Sequence, residues 1–277
     1  MSLIQPLGVL LPVLYLTSAV LYGMSFAGDK QPPVTRYRRA ALLLTVLTHG
    51  AFFAAHGFAA GTLPALSAWL LLSAVVFVMT TLFLAITIRS PQPTATSIVL
   101  GLATALQLLA SSFGPLHVAA PTERTMSTNL LTLHASTSVL AAAAVLLSGV
   151  YGSIYLLLYR QMRANSFGPL YRQLPDLALS ARMTRRAALA GFLFLTLGLN
   201  LGIWVAHKDA VAGFDYGDPT VLMTIGIWVH FGLIAFSQII RGITAHRASV
   251  AAVAGLVVLI LVLFVTLLPG LTFHSQA

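Results

Sequence analysis

Eight apolar stretches follow one another along this sequence, each about the 20 residues needed to cross about 30 Å of hydrocarbon, with short polar connections between them. They fall at residues 4–26, 40–60, 65–88, 97–116, 130–159, 187–207, 220–240 and 250–271. The predicted fold class is therefore all-α: a polytopic transmembrane helical bundle of eight spans, one integral-membrane domain over 1–277. Nothing repeats at a solenoid period, and no soluble domain is left over. Composition agrees. A chain that is 58% hydrophobic and 8% charged has too little polar surface for a soluble globule, in which about a quarter of residues are charged.

The connections predict an orientation. Lys30, Arg36, Arg38, Arg39, Arg89, Arg160, Arg163, Arg172, Arg182, Arg185, Arg186, Arg241 and Arg247 fall on one face, leaving only Arg124 and Lys208 opposite. By the positive-inside rule the basic face is cytoplasmic and both termini lie outside, as in a multi-pass protein of a bacterial-type inner (cytoplasmic) membrane. The N-terminal apolar run has no basic residue before it and outlasts a signal h-region, so it is read as a retained first span. The formal charge of +9 then reflects topology and attraction to anionic lipid. Nucleic acid is excluded as a partner, because no basic patch is interleaved with exposed aromatics. The longest connection, Arg160 to Arg186, sets six arginines against one acid, Asp176, and is read as lying partly on the headgroups. The absence of cysteine excludes disulfides, thiolate metal sites, iron–sulfur clusters and thiol catalysis.

The histidines carry what chemistry remains. His49 and His230 sit about 14 to 15 Å from the ends of their spans, near the bilayer midplane, and His134 lies about 6 Å below the outer surface. His56 follows His49 on the same helical stripe, nearer the outside. His117, His207 and His274 are at or beyond the outer boundary, and His246 is cytoplasmic. An ionisable group at midplane depth is costly and points to a ligand or relay role; the other reading is an imidazole that simply bonds a neighbouring helix's hydroxyl or carbonyl. Zinc wants three or four ligands, usually with thiolate or carboxylate. An ion pathway would recruit intramembrane Asp or Glu, and the spans hold neither. Haem needs only one or two axial imidazoles and an apolar cavity, and fits this inventory best. Gly191, Gly198 and Gly202 line one side of the sixth span, as helix packing in lipid requires.

Several stretches resemble the cytochrome c assembly membrane protein family, which includes CcsA-, HemX- and YpjD-like members. Leu133-His134 with its Ala-rich continuation is similar to the family's outer haem-ligand histidine and its helix. Leu174-Pro175, Gly191-Phe192 and Leu195 to Leu199 resemble the start of the sixth span, and Gly270-Leu271-Thr272-Phe273-His274-Ser275 resembles the C-terminal ending that holds a second outer ligand. His49, ahead of Gly61-Thr62-Leu63-Pro64, matches an intramembrane histidine. The family's tryptophan-rich outer motif is reduced to Asp218-Pro219 and Trp228; Val211, Phe214 or Asp215, and Gly217 stand where tryptophans would be. Phe236 replaces a seventh-span histidine, with His230 six residues earlier. The resemblance implies a cofactor, haem, and two readings. In the first, the protein binds or exports haem toward the outer face. His134 and His274 are then the axial ligands of the iron, His49 and His230 hold haem within the bilayer, and His56, Asp218 and Trp228 support it. Its partners are the lipid bilayer and an assembly subunit or apocytochrome, and it is at most part of a haem-attachment system rather than an enzyme by itself. In the second, the chain is a non-enzymatic scaffold or regulator that has lost haem transfer and acts through its arginine-rich loop.

Overall fold

The computed structural model describes residues 4–24, 32–60, 67–113, 126–208, 217 and 219–267. Among these residues there are nine helices and no strand: α1 Ile4–Gly23, α2 Pro32–Ala60, α3 Ala68–Arg89, α4 Pro93–Phe113, α5 Met126–Arg163, α6 Pro169–Gln173, α7 Leu177–Lys208, α8 Pro219–Ala235 and α9 Ala245–Leu267. Seven are long and apolar enough to cross a membrane, and α8 is apolar but shorter. The surface is inverted relative to a soluble protein: Phe58 is 89% and Ile239 80% exposed, while Ser18, Thr45 and His49 are 0% exposed. Apolar groups outward and polar groups inward is what solvation by lipid tails demands. This is a multi-pass membrane protein.

Helices and predicted spans differ at their ends. Helix α2 begins at Pro32 and carries Arg36, Arg38 and Arg39. A helix need not stop where hydrocarbon does, because arginine is a good helix former and proline suits the first helical position. Likewise α5 continues to Arg163 and α7 starts at Leu177, so Arg182, Arg185 and Arg186 lie on a helix and not in a loop. The eighth helix corrects the reading of 220–240. It stops at Ala235, and the backbone then changes to tighter bonds, Ser237 N–H to Ile234 C=O, Ile239 to Phe236 and Ile243 to Ile240. Gly242, at φ +88°, supplies the left-handed turn before α9, whose first turn is capped by Thr244 Oγ accepting from Arg247 N–H.

Contacts divide the chain into two compact units: one of 1–122 with 158–175, the other of 123–157 with 176–277. In the first, α1 packs on α2 and α4, and α3 on α4. The face of α1 turned inward carries Gly8, Leu11, Tyr15, Ser18 and Tyr22, a stripe of three- and four-residue steps. In the second, α7 packs on α8, and α8 on α9, while α5 approaches α7 where Gly191 meets Val145 and α9 where Gly152 meets Ala252. Asp176 caps α7, its Oδ1 accepting from Leu179 N–H at 2.6 Å. Asp176→Ala is expected to cost about 0.5–2 kcal/mol, read as a lower thermal midpoint in detergent and faster exchange of the Leu179 amide.

Candidate functional site: imidazoles held between helices

In the first unit the site is built outward from a proline. Pro12 has no N–H, so the carbonyl four residues back, that of Gly8, loses its helical donor. A bare carbonyl inside a bilayer must be satisfied by a neighbour. Ser111 of α4 does so, donating its hydroxyl to Gly8 C=O at 3.0 Å. From there a chain of bonds runs through four helices. Gln107 Nε2 donates to Ser111 Oγ at 3.0 Å, and Gln107 Oε1 accepts from Ser73 of α3 at 3.0 Å. Ser73 Oγ lies 3.0 Å from His49 Nε2, and His49 Nδ1 lies 2.9 Å from the Tyr15 hydroxyl of α1.

The end of this chain fixes the direction of every bond in it. A carbonyl only accepts, so Ser111 must donate to Gly8, and its oxygen is left to accept from the Gln107 amide nitrogen. Gln107 then offers its oxygen to Ser73, whose single proton is thereby used. Ser73 must accept from His49, so the proton of a neutral His49 ring is on Nε2, and Nδ1 accepts from Tyr15. Phe53 stacks on the imidazole at 5.1 Å and 13°, with Phe77 at 5.1 Å and Phe52 at 6.1 Å. His49 thus takes the arrangement in which an imidazole bonds neighbouring hydroxyls, and both nitrogens are engaged. One level along α2, His56 is 4% exposed and bonds its own helix, Nδ1 donating to Phe52 C=O at 3.2 Å.

In the second unit His134 projects from α5 onto α7. Its Nδ1 donates to Gly198 C=O at 2.8 Å, which leaves the lone pair of the neutral ring on Nε2. Gly202 makes the approach possible: a Cβ there would lie 2.8 Å from His134 Cε1 and 3.1 Å from Nδ1. The glycine row of the sixth span therefore does more than let helices touch, since two of its members receive an imidazole. His230 of α8 donates from Nε2 to Ala251 C=O of α9 at 2.8 Å, and its ring lies against Gly255. Trp228 donates from its indole to Thr196 Oγ at 2.8 Å and stacks on Phe192 at 5.3 Å and 21°. Its N–H and one face are committed to α7. His207 lies exposed on α7.

His274, Asp218, Asp215 and His117 lie outside the described residues. The structure thus describes His134, His49, His56, His230 and Trp228; His49 and His56 share Phe52 as a neighbour, with ring centroids at 6.1 and 4.4 Å. Among the described residues no three His, Cys, Asp or Glu side chains cluster to hold a metal ion. Haem needs no such cluster, because its macrocycle supplies four of the iron's bonds. His134 fits it: an imidazole whose second nitrogen donates to a backbone carbonyl is the usual state of a metal-bound histidine. His49 fits it less directly, since a ligand at Nδ1 must displace Tyr15. Sequence reasoning passed over Tyr15, Ser73, Gln107 and Ser111. The signal was legible in two places: Gln107 is the one amide within the fourth apolar run, and Pro12 announces a bare carbonyl at Gly8.

Apolar helices facing outward, with polar and imidazole groups tied between them, define a multi-pass helical membrane protein whose buried histidines are individually oriented. The chain belongs to the cytochrome c assembly protein family, which it matches over residues 11–274. It is thus a membrane protein of cytochrome c biogenesis. No curated protein matches it.

Proposed function

We propose that this protein handles haem during cytochrome c assembly, holding it toward the outer face of the membrane through His134 and His274. The observation that carries this reading is His134 itself, whose Nδ1 is spent on Gly198 C=O and whose Nε2 keeps its lone pair. When bound, haem would supply an iron that needs only axial imidazoles. The protein's part is to fix the tautomer, aim the lone pair and exclude water. His49, and His230 as a further ligand, hold haem within the bilayer on its way out; His56, on the stripe of His49, bridges the two levels, and Asp218 and Trp228 lend support near the outer face. The orientation that goes with this reading has eight spans in one integral-membrane domain, α8 among them, both termini outside and the arginines at the cytoplasmic face of an inner membrane. The partners are then an apocytochrome or an assembly subunit that receives the haem.

The test is the absorption spectrum of detergent-purified protein titrated with haemin. A Soret band that His134→Ala and His274→Ala each shift or abolish is expected, with loss of holo-cytochrome c in cells carrying either variant. A wild-type sample without any Soret band after supplementation counts decisively against haem handling. A scaffold role draws support from Trp228, whose indole N–H is engaged by Thr196, and from the reduced tryptophan motif. On that reading only substitutions among the exposed arginines, such as Arg182 and Arg186, change phenotype, and His134→Ala changes neither spectrum nor cytochrome.

A further inference from the structure

Turned away from its glycine row, α7 carries a second stripe. Arg182, Arg186, Leu189, Leu193, Leu197 and Trp204 recur at steps of three, four and seven residues, and all are exposed, Leu193 and Leu197 to 53% and Trp204 to 50%. At 3.6 residues per turn these positions share one side of the helix, and Gly191, Gly198 and Gly202 lie on the other. The stripe changes character once along its length, from two guanidinium groups to a run of leucines. From Arg186 to Leu197 the helix rises about 16 Å, close to half of the ~30 Å hydrocarbon core and so to the depth of one leaflet.

The arginine end is short of anions. Asp176 is the only acidic side chain among the described residues; it is used as the cap of α7 and stands about 9 Å along the axis from Arg182. Arg182 and Arg186 are four residues apart, so their charges sit on adjoining turns and repel one another. An anion placed between them relieves that repulsion, and each guanidinium offers phosphate a matching fork of N–H donors. We propose that α7 carries a site for one anionic phospholipid: Arg182 and Arg186 take the phosphate, and Leu189, Leu193 and Leu197 take an acyl chain of the same leaflet. A soluble phosphate ion or an acidic protein segment would use the arginines alone. The leucines begin three residues beyond Arg186, which is the order that a molecule with a charged head and an apolar tail requires. The site is independent of haem.

Native mass spectrometry of the delipidated full chain in detergent, titrated with palmitoyl-oleoyl phosphatidylglycerol, tests this. The first lipid is expected to bind about fivefold more weakly for each arginine removed, and about 30-fold more weakly when Arg182→Gln and Arg186→Gln are combined, from the attraction of a basic residue near an anionic surface. Phosphatidylcholine with the same chains carries no net charge and should respond little to the double variant. Arg160→Gln with Arg163→Gln removes equal charge from the end of α5 and is expected to leave the first binding step unchanged. An equal loss there means general attraction to a basic face and overturns the site. Glycerophosphoglycerol, the same headgroup without its chains, should not displace the lipid at equal concentration; if it does, the leucines hold no tail and the site is one for a free anion. A wild type that prefers neither lipid also overturns the proposal, and leaves Arg182 and Arg186 to an acidic partner protein.

Discussion

Replacing Gly202 with valine is expected to lower haemin affinity about 10- to 100-fold, the usual cost of losing the partner that orients a metal-bound histidine. The reason is steric. Even the first added carbon would stand 2.8 Å from His134 Cε1, closer than unbonded carbons approach, so the ring must leave Gly198 C=O. Freed of that bond, the imidazole can place its proton on either nitrogen, and Nε2 no longer presents a lone pair by default. The helix itself should tolerate the change, since valine is no worse than glycine in helix propensity. Gly226→Ala is the control: a Cβ there meets nothing within 4 Å, and neither spectrum nor melting should move. If Gly202→Val binds haemin as the wild type does, His134 is not held for iron by this contact.

Gly149→Val is expected to destabilise the second unit by about 1–3 kcal/mol from overpacking. Here α5 packs against α9, and an added Cβ would overlap Leu256 Cβ, with Leu256 Cγ at 3.0 Å and Cδ2 at 3.1 Å. A Cβ is fixed to the backbone and cannot rotate away, so the helices must part. The expected readout is a lower unfolding midpoint in detergent with an unshifted Soret maximum at low temperature. Combining it with Leu256→Gly should cost less than the sum of the two, because the pair shares one clash. Additive losses would place the strain elsewhere.

The sequence by itself determined that this chain lives in a bilayer, that its class is all-helical, and where its apolar runs lie, because hydropathy is a local property summed over about 20 residues. Counting along a helix also gives the expectation that His49 and His230 lie at membrane depth and His134 nearer an edge. Helix ends were not legible: the early start of α2 and α7 and the stop of α8 at Ala235 depend on backbone bonding beyond the hydrocarbon, to which an apolar window is blind.

Only the tertiary structure decided which nitrogen of each imidazole is spent. That depends on residues far apart in the chain, Gly8 with Ser111 and His134 with Gly198, whose meeting no local pattern encodes. Between water-excluding helices a buried polar group that lacks a partner is costly. The partner found, a backbone carbonyl for His134 and two side-chain hydroxyls for His49, is what distinguishes the two rings.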